Sequence, residues 1–402
     1  MSKRFLIPAK KQRGLVLILV TFSMVVLIAV TAFAVDVNHA LLSKTKVQNG
    51  VDAAALAGAV VLDNGGTTAQ ATAAVNQTLT NMTSSNGNAA VTFSSSTVNV
   101  EYSNDPRVFP DNDFSASLDT YVRVSVLDLP LQDFFAGIFG ISKAVDASAV
   151  AGPSPTLEVV INVVPIAVCD GANGASGISG YNAGDVYALT VASNRTTMGP
   201  GNYQLLDFGS GNERDELAGS YEGELKIGDT VRTNPGISVG NVSKGLNTRF
   251  GDYSGGMNAS TYPPDIYVKE PDQKASIDRD GNVTYDDGWG YDDYLAAIPC
   301  ASGGADCNVG NGGAYNRRIL PVPIVDCTTT EAQGGGVNNL TVLEIGCFFM
   351  LQKAPTNNSG KQGVFGEFLE DCSLVGGNPG DNSDSDGPYR IVLYDDPLSE
   401  ES

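Results

Sequence analysis

The chain has 402 residues and a formal net charge of −21. Five cations (Lys3, Arg4, Lys10, Lys11 and Arg13) precede the first acid, Asp36, so the remainder carries −26. So acidic a body repels nucleic acid and anionic headgroups, which excludes nucleic acid as a partner. The length exceeds one small core and predicts two soluble domains of roughly 100–200 residues each.

Residues 1–14 form a basic N-terminal segment. Leu15–Val35 follows, an uncharged apolar run of 21 residues. As a helix it is about 32 Å long, the thickness of a bilayer's hydrocarbon, and predicts a transmembrane helix over 15–35. The cations before it place the N-terminus in the cytoplasm and the body outside. Two other readings compete. Ala32-Phe33-Ala34 satisfies the small-x-small pattern of signal-peptide cleavage, although the run is longer than a signal peptide's apolar region. Gly14 after Arg13 sits as in a prepilin cleavage site, but Leu19 stands where prepilins carry Glu.

Over 36–62 small or apolar residues recur at Val37, Ala40, Leu41, Val47, Val51, Ala54, Gly58 and Val61, which is helical spacing. Thr45, Lys46, Gln48, Asn49 and Asp52 fill the other face. The membrane helix is therefore expected to continue, amphipathic, to about Leu62. Its small-residue stripe (Val47, Val51, Ala54, Ala55, Gly58) permits close approach of the protein's own body or of another component. Asp52 has no cation one turn away, because Lys44 and Lys46 lie too far back for an i,i+4 pair. Its partner is expected elsewhere in the body or on another component.

Arg13-Gly14 before the run, Val35-Asp36 after it and then Val47-Gln48-Asn49-Gly50-Val51-Asp52-Ala53-Ala54-Ala55-Leu56-Ala57-Gly58-Ala59 together resemble the N-terminal signature of TadG-like proteins. These belong to the Tad (Flp) pilus-assembly system. Gly50 stands where the family usually has Ala, and Val47 where it often has Leu. Tyr121–Val126, Phe134–Ile141 and Ala147–Ala151 resemble the domain that follows the anchor in many members. The resemblance implies a bacterial inner-membrane protein with a periplasmic body, a minor pilin-like or envelope-bridging role, and other Tad proteins, pseudopilins and the inner-membrane bilayer as partners. It implies no cofactor.

In the body, Asn64-Gly65-Gly66 ends the long helix, and Thr68–Met82 reads as a second one. Val91–Phe93, Thr97–Tyr102, Leu118–Leu127 and Ala144–Ala151 read as strands, and Leu131–Ile141 as a short apolar helix. Residues 63–152 are thus an α+β domain. Gly152-Pro153-Ser154-Pro155 marks the boundary to a β-rich domain over 153–402. That domain opens with the apolar run Leu157–Val168, and Val342–Leu351 alternates as a strand with Cys347 inside. Val164-Pro165-Ile166-Ala167-Val168-Cys169 is echoed at Val322-Pro323-Ile324-Val325-Asp326-Cys327. The overall fold class is α+β, a single membrane helix followed by β-rich extracytoplasmic domains.

Candidate chemistry is sparse. Cys169, Cys300, Cys307, Cys327, Cys347 and Cys372 all follow the apolar run, an even number that suits up to three disulfides with the pairing open. Asp278, Asp280, Asn282 and Asp286 place oxygens at alternate positions, as calcium loops do. Val283 occupies the sixth position, where such loops need Gly, and Trp289 the twelfth, where they need Glu. Asp381–Asp386 is a weaker candidate. Trp289, Tyr291 and Tyr294 among acids are candidates for a carbohydrate platform. His39 is the single histidine, with neither a triad nor an HExxH around it. A non-enzymatic assembly component is the expectation, with a carbohydrate-binding adhesin or a secreted hydrolase as rivals.

Overall fold

A computed structural model describes residues 13–85, 88, 91–93, 96–140, 142–171, 179–191, 202–209, 211–236, 239–278, 282–298, 300, 304–308, 312–329, 336–357, 363–374, 376–379 and 387–399. The fold is α+β: one long N-terminal helix followed by a β-rich body with short helices. The chain divides into two compact units. The first comprises Met1–Gly58, Thr68–Ala151 and Leu393–Ser402, the second Ala59–Thr67 and Gly152–Val392.

Helix α1 spans Arg13–Asp63 without a break, about 76 Å at 1.5 Å per residue. No Pro or Gly pair interrupts it until the turn Asn64–Gly66, where Gly65 takes a left-handed φ of 76°. Helix α2 spans Thr68–Ser84 and buries Ala71, Val75 and Leu79. Strands β1 (Thr97–Ser103), β2 (Tyr121–Leu131) and β3 (Lys143–Pro153) form an antiparallel sheet, completed beyond β3 by the strand Ile391–Tyr394. Val122, Val124 and Val126 of β2 are fully buried, as their alternation requires.

Two segments differ from their sequence patterns. Leu131–Ile141, expected as a helix, continues β2 to Leu131 and then holds only a 3-10 turn over Ala136–Phe139, closed by Gly140 at φ 71°. A helix there lacks an apolar neighbour, and Ile138 is 76% exposed. Val91–Phe93, expected as a strand, forms no ladder.

The second unit is built on a sheet. Its strands include β4 (Leu157–Ile161), β5 (Val168–Cys169), β6 (Val186–Val191), β7 (Asn202–Leu206), β8 (Glu224–Lys226), β9 (Thr230–Pro235), β10 (Ser276–Ile277), β11 (Val283–Thr284), β12 (Ile319–Val325), β13 (Asn339–Met350) and β14 (Gly363–Leu369). The main sheet runs β5-β12-β13-β14-β6, with β9 pairing both β13 and β7. The continuous run Leu157–Val168 is not one strand: Asn162 at φ 60° breaks it into β4 and β5. The two echoed segments lie side by side, since β5 pairs in parallel with β12 through Val168–Ile324 and Cys169–Val325. Every residue of β12 is buried, as expected for a strand covered on both faces. The second unit also holds the short helices α3 (Val239–Leu246) and α4 (Tyr291–Ala297).

Candidate functional site

The first unit carries the signature, and burial divides α1 into two parts. From Val16 to Val35 the helix is exposed almost throughout, with Leu17, Leu19, Phe22, Leu27 and Phe33 all above 60%. It is long and apolar enough to cross a membrane. Burial begins at Asp36 and recurs at Ser43, Val47, Gly50, Val51, Ala54, Ala55, Gly58 and Ala59. From Val47 to Gly58 this stripe follows the apolar pattern in the sequence, but at the membrane end it is rotated from it: Val37 and Leu41 stay exposed. The rotation follows Asp36, which faces the body, whereas Val37 lies about 100° around the helix from it.

Asp36 binds several groups of the first unit. It is 5% exposed. One carboxylate oxygen accepts Lys143 Nζ at 2.7 Å and the Phe134 N–H at 3.2 Å. The other accepts the Phe135 N–H at 3.0 Å and the Ala136 N–H at 2.7 Å. These three amides open the 3-10 turn, whose first N–H groups have no partner within the turn. The Lys143 ammonium, with the three amides, holds the Asp36 carboxyl down at about 2 against the opposing effect of burial. Lys143 also lies 4.0 Å from Asp133 and 5.5 Å from the Phe134 ring centre, and His39 meets that ring edge-on at 4.9 Å. The clamp holds Phe134, Phe135 and Ile138 at the base of the exposed apolar helix with their side chains 46%, 40% and 76% exposed. Spacing rules do not reveal this role. The one signal is that Asp36 is the first acid after the run.

The small stripe packs inside its own unit. A Cβ at Gly58 would come within 2.9 Å of Val75 Cγ2 and 3.3 Å of Val122 Cγ1, so α2 and β2 both press on that point. A Cβ at Gly50 would overlap the Met82 sulfur. Val47, Val51, Ala54 and Ala55 are fully buried. Asp52 does have a partner on its own helix, which corrects the expectation from charge spacing. Gln48 donates through Nε2 to Asp52 Oδ1 at 2.8 Å and to the Ser148 carbonyl at 2.7 Å. The donor is a neutral amide one turn back, which a search for cations passes over.

In the second unit all six cysteines are bonded: Cys169–Cys327, Cys300–Cys307 and Cys347–Cys372. The first bond joins the two echoed segments. Asp278 and Asn282 meet across the β10–β11 turn, where Asn282 donates its backbone N–H and side-chain amide to the Asp278 carboxylate at 2.8 and 3.1 Å. Asp286 lies two residues beyond β11, while Asp280 and Asp381–Asp386 fall outside the described residues. Among the described residues no three His, Cys, Asp or Glu side chains group as metal ligands.

Trp289, Tyr291 and Tyr294, expected as an exposed platform, turn inward. Tyr294 is fully buried, and Trp289 and Tyr291 pack on Phe349 at 6.0 and 5.4 Å. Trp289 and Tyr294 lie 5.3 and 5.8 Å from Arg318, whose fully buried guanidinium is 4.4 Å from the Phe349 ring centre and 4.5 Å from that of Phe250. Its N–H groups reach the carbonyls of Met350, Leu351, Lys269 and Tyr267 at 2.9–3.2 Å. The aromatic faces thus already hold an internal cation.

Residues 14–61 match the Tad family of Flp pilus-assembly TadE/G-like proteins. No curated protein and no solved structure matches the chain.

Proposed function

We propose, from the premise that residues 14–61 are a TadE/G-like segment of the Tad family, that the protein is a non-enzymatic component of the Tad (Flp) pilus-assembly machine. Residues 15–35 hold it in the inner membrane, and the body works on the periplasmic side in a minor pilin-like or envelope-bridging role. The observation that carries this reading is the unbroken helix α1, whose exposed apolar part runs directly into the buried signature stripe. An anchor rigidly continuous with a body element transmits the membrane's position to that body, which suits an assembly part. The five cations before the run and three disulfides after it favour this orientation, because disulfides persist on the oxidising side of the membrane. Other Tad proteins and pseudopilins are the partners in this reading.

In this orientation Phe134, Phe135 and Ile138 sit at the membrane surface beside the emerging helix, where exposed aromatic and aliphatic side chains are favourable. Lys143 suits the same depth, an ammonium at the headgroup level beside an apolar patch.

Proteinase treatment of spheroplasts followed by fractionation tests the reading. The body is expected to be digested from outside, leaving an N-terminal fragment that contains residues 15–35 in the membrane pellet. Deletion of the gene is expected to abolish or reduce piliation. A mature N-terminus at Val35 removes the anchor, and normal piliation without the protein removes the assembly role.

A further inference from the structure

The second unit contains a cavity of about 140 Å3 whose wall is unusually basic for so acidic a chain. Gly219, Arg249, Tyr315, Arg317 and Ser373 are among its lining residues. Arg249 is only 3% exposed. Its Nη1 donates to the Leu217 carbonyl, but its Nε is buried with no hydrogen-bond partner. Arg317 donates through Nε to the Pro263 carbonyl at 3.0 Å and through Nη2 to the Ala218 carbonyl at 2.9 Å. Among the described residues neither guanidinium makes an ion pair with a carboxylate.

The two cations converge on one point. A Cβ at Gly219 would lie 2.9 Å from Arg317 Nη1 and 3.9 Å from Arg249 Nη2, and Gly219 holds a φ of 102° that other residues rarely adopt. Glycine therefore leaves room for both guanidinium groups. Burial lowers the proton affinity of both arginines, and the charge of Arg317 lowers that of Arg249 further. Asp265 offsets them in part. Its carboxylate, however, is engaged by Tyr294 Oη at 2.9 Å and by the N–H groups of Tyr267 and Arg318 at 3.0 and 3.1 Å. Arg249 is buried with an unbonded N–H beside the like charge of the partly exposed Arg317, an arrangement that an anion joining them relieves.

We propose that this cavity binds a small oxyanion, a phosphate or a carboxylate group, between Arg249 and Arg317. The planar forks of two guanidinium groups present several N–H donors at fixed angles, which suits the oxygens of such a group. The volume admits one group of this size or a few waters. Tyr315, 44% exposed, is a lining residue open to solvent. This inference is independent of the pilus-assembly reading.

The test is thermal unfolding of the full chain in detergent, titrated with inorganic phosphate or acetate against chloride at matched ionic strength. A saturable rise in Tm with one of these anions is expected, and the anion that produces it identifies the group. Arg317→Gln is expected to raise the dissociation constant about tenfold or more, since a charge-assisted hydrogen bond is removed, while the variant unfolds cooperatively in chloride. Arg249→Gln should do the same and serves as the second variant if the first fails to fold. If neither anion raises Tm above chloride, or if the rise survives unchanged in the folded variants, the arginines only brace the neighbouring carbonyls and the proposal falls.

Discussion

At the scale of single residues, Asp36 and Arg318 illustrate opposite ways of burying a charge. Asp36 gathers a cation and three amides, and its carboxyl is held at about 2, below the ordinary 3.8. A depressed carboxyl contributes stability that is fully present above its unfolded value and is lost as pH falls through its folded one. The clamp is therefore expected to weaken between about pH 4 and pH 2. Asp133 and His39 lie nearby, so the comparison that isolates Asp36 is wild type against Asp36→Asn. In detergent, the wild type should lose more Tm than the variant across this window, and parallel profiles would contradict the assignment. Arg318 instead relies on four carbonyls and aromatic faces. Arg318→Met strands those carbonyls in an apolar interior and should destabilise the second unit by roughly 3–5 kcal/mol in urea denaturation. Arg318→Lys should recover little, because an ammonium cannot reach four acceptors in a planar fork.

At the scale of elements, α1 is a single helix in two environments, and its glycines mark the close contacts. Gly58 faces branched side chains from both α2 and β2, which have little freedom to move. Gly58→Leu should therefore cost about 1–3 kcal/mol or more through overpacking. Gly50 faces the flexible end of Met82, so Gly50→Leu should cost less, a ranking that thermal unfolding of the two variants checks. The loop after β2 is the other element with a measurable position. A tryptophan at Ile138, read above the Trp289 background in vesicles with brominated acyl chains, should be quenched in the proposed orientation. A second tryptophan at Phe33 serves as the control. Quenching at Phe33 with none at Ile138 would place the loop in water and leave the anchor intact.

At the scale of the whole molecule, the disulfides differ in what they close. Cys169–Cys327 spans 158 residues, Cys347–Cys372 spans 25 and Cys300–Cys307 spans 7. On a chain-entropy basis these are worth about 5, 3.5 and 2 kcal/mol respectively. Paired Cys→Ser replacements should follow that order in urea denaturation, with loss of Cys169–Cys327 the most damaging. Much of the architecture was legible in advance because it rests on local rules. Apolar length gave the exposed part of α1, 3.6-residue periodicity gave the buried stripe from Val47 to Gly58, and alternation gave β2 and β13. The failures have separate physical causes. Leu131–Ile141 is apolar but has no surface to bury against, so its composition misreads as a helix. Leu157–Val168 is continuous in hydropathy but broken by a backbone conformation at Asn162. The aromatic residues Trp289, Tyr291 and Tyr294 look like a surface because their sequence neighbours are acidic, yet they pack inward on Phe349, and Arg318, in the turn just before β12, meets Trp289 and Tyr294. The sequence by itself determined the apolar helix long enough to cross a membrane, the signature helix, the α+β class and the even set of cysteines, since each is written in neighbouring residues. Only the tertiary structure decided which cysteines pair, that Asp36 clamps a loop about a hundred residues away, and that Arg249 and Arg317 share one cavity. Each of these joins positions distant in the chain, and no local period or spacing encodes such a meeting.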